Sequence, residues 1–317
     1  MASDELHSIV VPMYNEEHVV GLFFERLVAA LADVPSYEII VVDDGSSDRT
    51  WELLLAARER IPQLRLIRFS RNFGHQTAIT AGIDAARGET VTVIDADLQD
   101  PPELIPDMIE RWRDGADVVL AVRKARRGES VFKRATARVF YRLVRRLAAI
   151  DLPVDAGDFR LMSRRAIDAL ISMRERNRYV RGMVAWVGFR RDAVEYERDP
   201  RAAGTTKYPL GKMLRLAMDG IVSFSLRPLQ LSAALGALAA LLGFGVLVYA
   251  IFERLAGHDV LPGWTSLMVA ILFMGGVQLL SLAVLGEYVG RIYEEVKGRP
   301  LYVVSERAGF EESAPGD

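Results

Sequence analysis

The sequence predicts an α/β domain with a doubly wound, mostly parallel sheet, followed by a helical hairpin that crosses a membrane. Over the first 122 residues, short apolar runs alternate with helical segments, the pattern of repeated β-α units. Four of these runs end in polar clusters, and doubly wound sheets bind ligands at the carboxyl ends of their strands. Near the C-terminus, Leu229 to Phe252 and Val260 to Gly286 contain no charged side chain. Each run exceeds the roughly 20 residues needed to span a bilayer.

The elements follow in order. Ser8 to Val11 reads as a strand and Glu16 to Leu31 as an amphipathic helix; Glu38 to Val42 is the second strand, before a helix from about Asp48 to Arg60. Arg65 to Phe69 leads to a helix over His75 to Ala86, with Gly88 expected as a left-handed cap. Thr90 to Ile94, a helix from Pro102 to Asp114, and Asp117 to Ala121 complete the alternation. Val131 to Leu147 places Phe132, Val139, Phe140 and Leu143 near one helical face and arginines on the others, an interfacial pattern.

Composition excludes several chemistries. With no cysteine there is no disulfide, thiolate metal site or cysteine nucleophile, and four scattered histidines do not make a zinc site. Neither Gly-x-Gly-x-x-Gly nor a phosphate-loop Gly-Lys-Ser/Thr occurs. The net charge of -2 is near neutral, and no nucleic-acid partner is expected. From Val118 to Ile150, however, ten Lys and Arg side chains face Glu129 alone, a zone suited to an anion. The loop between the apolar runs is short, and Lys207, Lys212, Arg215, Arg227, Arg291, Lys297 and Arg299 flank them, so both ends of the hairpin are expected in the cytoplasm.

The chemistry concentrates in Asp95-Ala96-Asp97-Leu98-Gln99-Asp100-Pro101-Pro102, immediately after an apolar strand. Aspartates this close repel unless a cation lies between them, and oxygen ligands suit Mg2+ or Mn2+. Tyr14 is placed to stack on a base, and Asp43 or Asp44 to accept from a base imide or ribose hydroxyl.

Val11-Pro12-Met13-Tyr14-Asn15-Glu16-Glu17, Val42-Asp43-Asp44-Gly45-Ser46, Arg71-Asn72-Phe73-Gly74 and the Asp95 to Pro102 motif resemble glycosyltransferase family 2. Within it, the chain resembles the polyisoprenyl-phosphate glycosyltransferases with two C-terminal spans. The resemblance implies a GT-A catalytic domain, over 1–206, and the sequence divides the rest into a juxtamembrane helix over 207–228, spans over 229–252 and 260–286 about a loop at 253–259, and a cytoplasmic tail over 287–317. It implies nucleotide-sugar binding by Pro12, Tyr14, Glu16, Asp43, Asp44, Asp95 and Lys207. Asp95, Asp97 and Gln99 would ligate Mg2+ or Mn2+, and Asp158 would be the base or an orienting carboxylate. Arg123, Arg134, Arg160, Ser163 and Arg201 would hold the acceptor phosphate. For Arg160, a buried structural pair with Asp158 is the competing account.

The implied reaction is metal-dependent, inverting transfer of one hexose to undecaprenyl phosphate. The donor expected is UDP-glucose or a related UDP-sugar, with GDP-mannose the alternative, and the resemblance suggests a homotetramer. A processive polysaccharide synthase would need more spans and a Gln-x-x-Arg-Trp motif that is missing here. A non-catalytic lipid-carrier scaffold would not need the aspartate motif.

Overall fold

The computed structural model describes residues 5–123, 156–197, 225–256 and 263–310. The expected basic helix at 131–147, most of the juxtamembrane helix, and Arg134, Arg201 and Lys207 lie outside them. Chain contacts separate two units, the first holding the described residues up to 197 and from 299 onward, the second those from 225 to 298.

The first unit is built on strands β1 (His7–Met13), β2 (Tyr37–Asp43), β3 (Leu64–Phe69), β4 (Thr90–Val93), β5 (Val118–Arg123), β6 (Ala156–Ser163), β7 (Arg191–Tyr196) and β8 (Val304–Ala308). They form one sheet in the order β7-β5-β6-β4-β1-β2-β3-β8. β1 pairs parallel with β2 and β4, and β2 with β3; β6 runs antiparallel to both β4 and β5, and β8 antiparallel to β3. This is the largely parallel GT-A-like domain expected.

The central strands are buried over nearly their whole length, because helices cover both faces. α1 (Val20–Ala30) turns Val20, Phe23, Phe24 and Leu27 inward at helical spacing. α2 (Thr50–Arg60) buries Trp51 and Leu54, and α3 (His75–Ala85) buries Ala78, Ile79 and Gly82. A single 3-10 turn at Pro102–Leu104 leads into α4 (Ile105–Arg113). Beyond β6 come α5 (Arg164–Ser172) and α6 (Val180–Val187).

Three expectations need correction here. Helix α1 begins at Val20 rather than Glu16; the backbone N–H groups of Asn15, Glu16 and Glu17 donate to Ser46 Oγ, Thr50 Oγ1 and Asp48 Oδ2, which ties this stretch to the segment after β2. Gly88 is not a left-handed cap: helix α3 ends at Ala86 in extended backbone, and glycine is needed because a Cβ there would lie 2.6 Å from the Leu6 carbonyl oxygen and 2.7 Å from Ser8 N. No strand was expected in the tail over 287–317, yet Val304–Ala308 forms β8.

The second unit is a pair of packed helices, α7 (Arg227–Leu255) and α8 (Trp264–Val296). α8 runs well past the expected end at Gly286, through a charged last part containing Glu287, Arg291 and Glu294. Tyr288 donates to the Ser225 carbonyl at 2.5 Å, tying the end of α8 to the entrance of α7. Both helices expose large apolar side chains, among them Leu241, Phe244, Leu272 and Leu279. A core helix of a soluble protein buries such residues, whereas a bilayer solvates them.

Candidate active site

The loops after β1, β2 and β3 are laced together by their own polar residues. Asn15, at φ 53°, accepts from Ser47 N through Oδ1 at 2.9 Å, while its N–H donates to Ser46 Oγ. Asp44 N donates to the Met13 carbonyl, and the Asp44 carboxylate accepts from Phe73 N at 2.6 Å and Gly74 N at 2.9 Å. These bonds satisfy N–H groups at the start of α3. Gly45 adopts φ 68°, and a Cβ there would lie 2.4 Å from the Arg71 backbone carbon, so the turn requires glycine.

Around these loops lies a cavity of about 270 Å3 at the carboxyl edge of the sheet. Pro12, Tyr14, Glu16, Asp44, Asp95 and Asp97 line it, together with Asn72 and His75. Tyr14 is about half exposed at its edge. Asp43 is fully buried instead: Oδ1 accepts from Ser46 N at 3.1 Å, and Oδ2 lies 3.4 Å from Arg68 Nε without a hydrogen bond. Asp43 therefore supports the loop from behind rather than lining the cavity.

Asp97 and Gln99 are joined by a tight turn in which Gln99 N donates to Asp97 Oδ1 at 3.1 Å. Leu98 between them holds φ 57°, a conformation that costs a branched residue on the order of 1 kcal/mol or more. Burial pushes the Asp95 carboxyl up to about 6; His75 pulls against this, while Asp158, Asp100 and Asp97 add repulsion. Asp95 Oδ1 is buried without a hydrogen bond. A buried carboxylate oxygen that makes no hydrogen bond, among repelling carboxylates, fits a divalent cation, with Asp95, Asp97 and Gln99 offering the hard oxygens it prefers. Among the described residues no three His, Cys, Asp or Glu side chains are already arranged to hold a metal ion.

Because β6 lies antiparallel beside β4, its first residues reach the same edge. Asp158 Oδ2 is 3.4 Å from His75 Nε2, and Oδ1 is 3.3 Å from both Arg160 Nη2 and Arg181 Nη2. Burial alone would raise the Asp158 pKa, but the hydrogen bond from His75 and the charges of Arg181 and Arg160 hold it well below the usual carboxylate range. The same His75 nitrogen lies 3.5 Å from Asp95 Oδ1, so one imidazole bridges carboxylates on two strands. Tyr196 donates to Asp100 Oδ1 and accepts from Arg123 Nε at 3.1 Å. Arg123 thus stands beside the aspartate motif, where a Cβ on Gly157 would crowd its guanidinium at 2.9 Å.

Two expected acceptor residues have other work. Ser163 is at the opposite end of β6, paired with Thr90 at the start of β4, and its hydroxyl donates to Asp117 Oδ1 at 3.0 Å. It is removed from the acceptor set. Arg160 is almost fully buried and donates to the Gly157 and Asp158 carbonyls at 2.9 and 3.2 Å, which favours the structural pair. Sequence reasoning missed His75, Arg181 and Tyr196. His75 directly follows the Arg71-Asn72-Phe73-Gly74 motif, and that adjacency was the one available signal.

A GT-A-like domain with an acidic strand-edge cleft, followed in the chain by an apolar hairpin, defines the class as a membrane-associated glycosyltransferase. The model for "Glycosyl transferase family 2" matches residues 8–171, that for "GtrB C-terminal hairpin" matches residues 227–292, and the chain belongs to glycosyltransferase family 2. It is 51% identical over 306 residues to the uncharacterized glycosyltransferase YkcC of Bacillus subtilis, covering 96% of this chain and 95% of that one. With the SfII prophage-derived bactoprenol glucosyl transferase of Shigella flexneri it shares 42% identity over 299 residues, covering 94% and 96% of the two chains. The prophage bactoprenol glucosyl transferase homolog of Escherichia coli is 41% identical, with 94% and 97% covered.

Proposed function

We propose that the protein transfers one hexose from a nucleotide sugar, UDP-glucose or a related UDP-sugar, to undecaprenyl phosphate at the cytoplasmic membrane face, inverting the anomeric centre. The carrying observation is similarity to bactoprenol glucosyl transferases across catalytic domain and hairpin alike. Pro12, Tyr14, Glu16 and Asp44 contribute walls for the nucleotide, with Tyr14 exposed enough to stack on a base.

Asp95, Asp97 and Gln99 would hold Mg2+ or Mn2+, which when bound supplies neutralising charge for the departing diphosphate. Asp158 orients rather than abstracts, because His75, Arg181 and Arg160 hold its pKa low and so make its carboxylate a weak proton acceptor. The chemistry does not require a strong base: a phosphate monoester has a second pKa of about 6 and is largely dianionic at neutral pH. An acceptor oxygen then attacks the anomeric carbon from the face opposite the nucleoside diphosphate.

The test is purified protein with Mg2+, undecaprenyl phosphate and a panel of UDP-sugars and GDP-mannose, read by mass spectrometry of the lipid. One singly glycosylated lipid from a UDP-sugar is expected; no glycolipid from any donor defeats the proposal, and product only from GDP-mannose defeats the donor assignment. Asp97→Ala is expected to reduce turnover on the order of 100-fold, and full cellular function in that variant would favour a scaffold.

A further inference from the structure

Asp158 is approached by two arginines with different freedom. Arg160 is enclosed, its Nε and Nη2 donating to backbone carbonyls within its own strand. Freeing it for a ligand would unmake those bonds. Arg181 comes from another element, α6, whose Val180, Gly182, Met183 and Val184 are buried while Arg181 lies at the flank of that stripe. The start of α6 is anchored from α3, where Gln76 Oε1 accepts from Val180 N at 3.0 Å. His75, the neighbour of Gln76, touches Asp158 from the other side.

The Arg181 side chain is 30% exposed, ion-paired to Asp158 at 3.3 Å, and its Nε is buried with no hydrogen bond. A guanidinium has five donors in a planar fork that matches two phosphate oxygens, and the contact with Asp158 here runs through Nη2. Asp158, which itself touches the cavity-lining His75, pins this fork while leaving part of it open to solvent.

We propose that Arg181 binds the phosphate of the lipid acceptor, with Asp158 holding the guanidinium ready before the lipid arrives. This rests on the reaction proposed above, and it places the function expected of Arg160 and Ser163 on a helix that the sequence motifs do not include.

The test compares binding of undecaprenyl phosphate and of undecaprenol to the detergent-solubilised full-length protein, each without nucleotide sugar, alongside UDP affinity and thermal midpoint. The parent should prefer the phosphate, Arg181→Ala should lose at least ten-fold of that preference, and Arg181→Lys should retain part of it. Undecaprenol and UDP affinities should not change. A parent without preference, an unchanged preference in Arg181→Ala, or equal losses for phosphate, alcohol and UDP overturns the assignment. A general structural defect would weaken all three ligands and could not move the phosphate-to-alcohol ratio alone. Turnover does not enter, so a failed glycolipid assay and a failed Arg181 assignment are separate results.

Discussion

At the residue scale, charge is balanced across strands rather than along them. His75 serves Asp95 and Asp158 with a single nitrogen, so its removal leaves two neighbouring carboxylates without their shared partner. His75→Ala should lower kcat by roughly 10- to 100-fold through misplacement of both groups, with the donor KM changing far less; an unaltered kcat counts against the bridging role. His7 reports on the fold instead. It is buried at the start of β1, its Nδ1 2.7 Å from Thr90 Oγ1, and burial, aided by Arg113, lowers its pKa below the ordinary 6.5. The unfolded chain takes up a proton that the folded chain resists. The stability is therefore fully present above pH 6.5 and is lost as pH falls below it toward the depressed folded value. His7→Gln should flatten the dependence of the thermal midpoint on pH between 7 and 5, and an unchanged slope would exclude His7 as its source. The paired aspartates were legible because Asp-x-Asp after an apolar run is a local pattern. His75, Arg181 and Tyr196 were not, because each meets its partner through a strand or helix distant in sequence.

At the element scale, β8 is the feature that sequence reading left as a tail. Its alternation is weak, with Val304 and Ala308 half-buried around exposed Ser305, Glu306 and Arg307, so no strand pattern stands out. Pairing with the edge of β3 decides its structure. Glu306 accepts from Arg68 Nη1 at 3.0 Å and from Trp51 Nε1 at 3.2 Å, and Tyr302 stacks on Phe69 with centroids 5.0 Å apart. Arg68 in turn faces the unbonded Asp43 Oδ2. Glu306→Ala should lower the thermal midpoint, with a loss of about 1–2 kcal/mol from the two hydrogen bonds. UDP affinity should fall with it if Arg68 steadies Asp43, and calorimetric titration with UDP checks that link. The strands β1 to β4 were readable in advance because their apolar runs are buried on both faces. β6 was read only as a motif, since its antiparallel place between β4 and β5 depends on long-range pairing.

At the scale of the whole molecule, the chain leaves the catalytic domain, forms two apolar helices and re-enters the same domain as β8. That connectivity supports both ends of the hairpin lying on one side of the membrane. The absence of native cysteine makes the test clean. In intact cells an impermeant maleimide should label Ala256→Cys, at the far end of α7, and should reach Ser305→Cys only after permeabilisation; the reverse pattern defeats the cytoplasmic assignment. The family, the strand-edge clusters and the two spans were determined by the sequence alone, because apolar periodicity, span length and local motif spacing survive without coordinates. Tertiary structure decided which polar residues meet: β6 carries Asp158 to His75 and Arg181 while taking Ser163 to the opposite end, and β8 closes the far edge of the sheet. The physical reason is that strand pairing is non-local, so the partners of a charge at one sheet edge are set by strand order and direction, which no local pattern encodes.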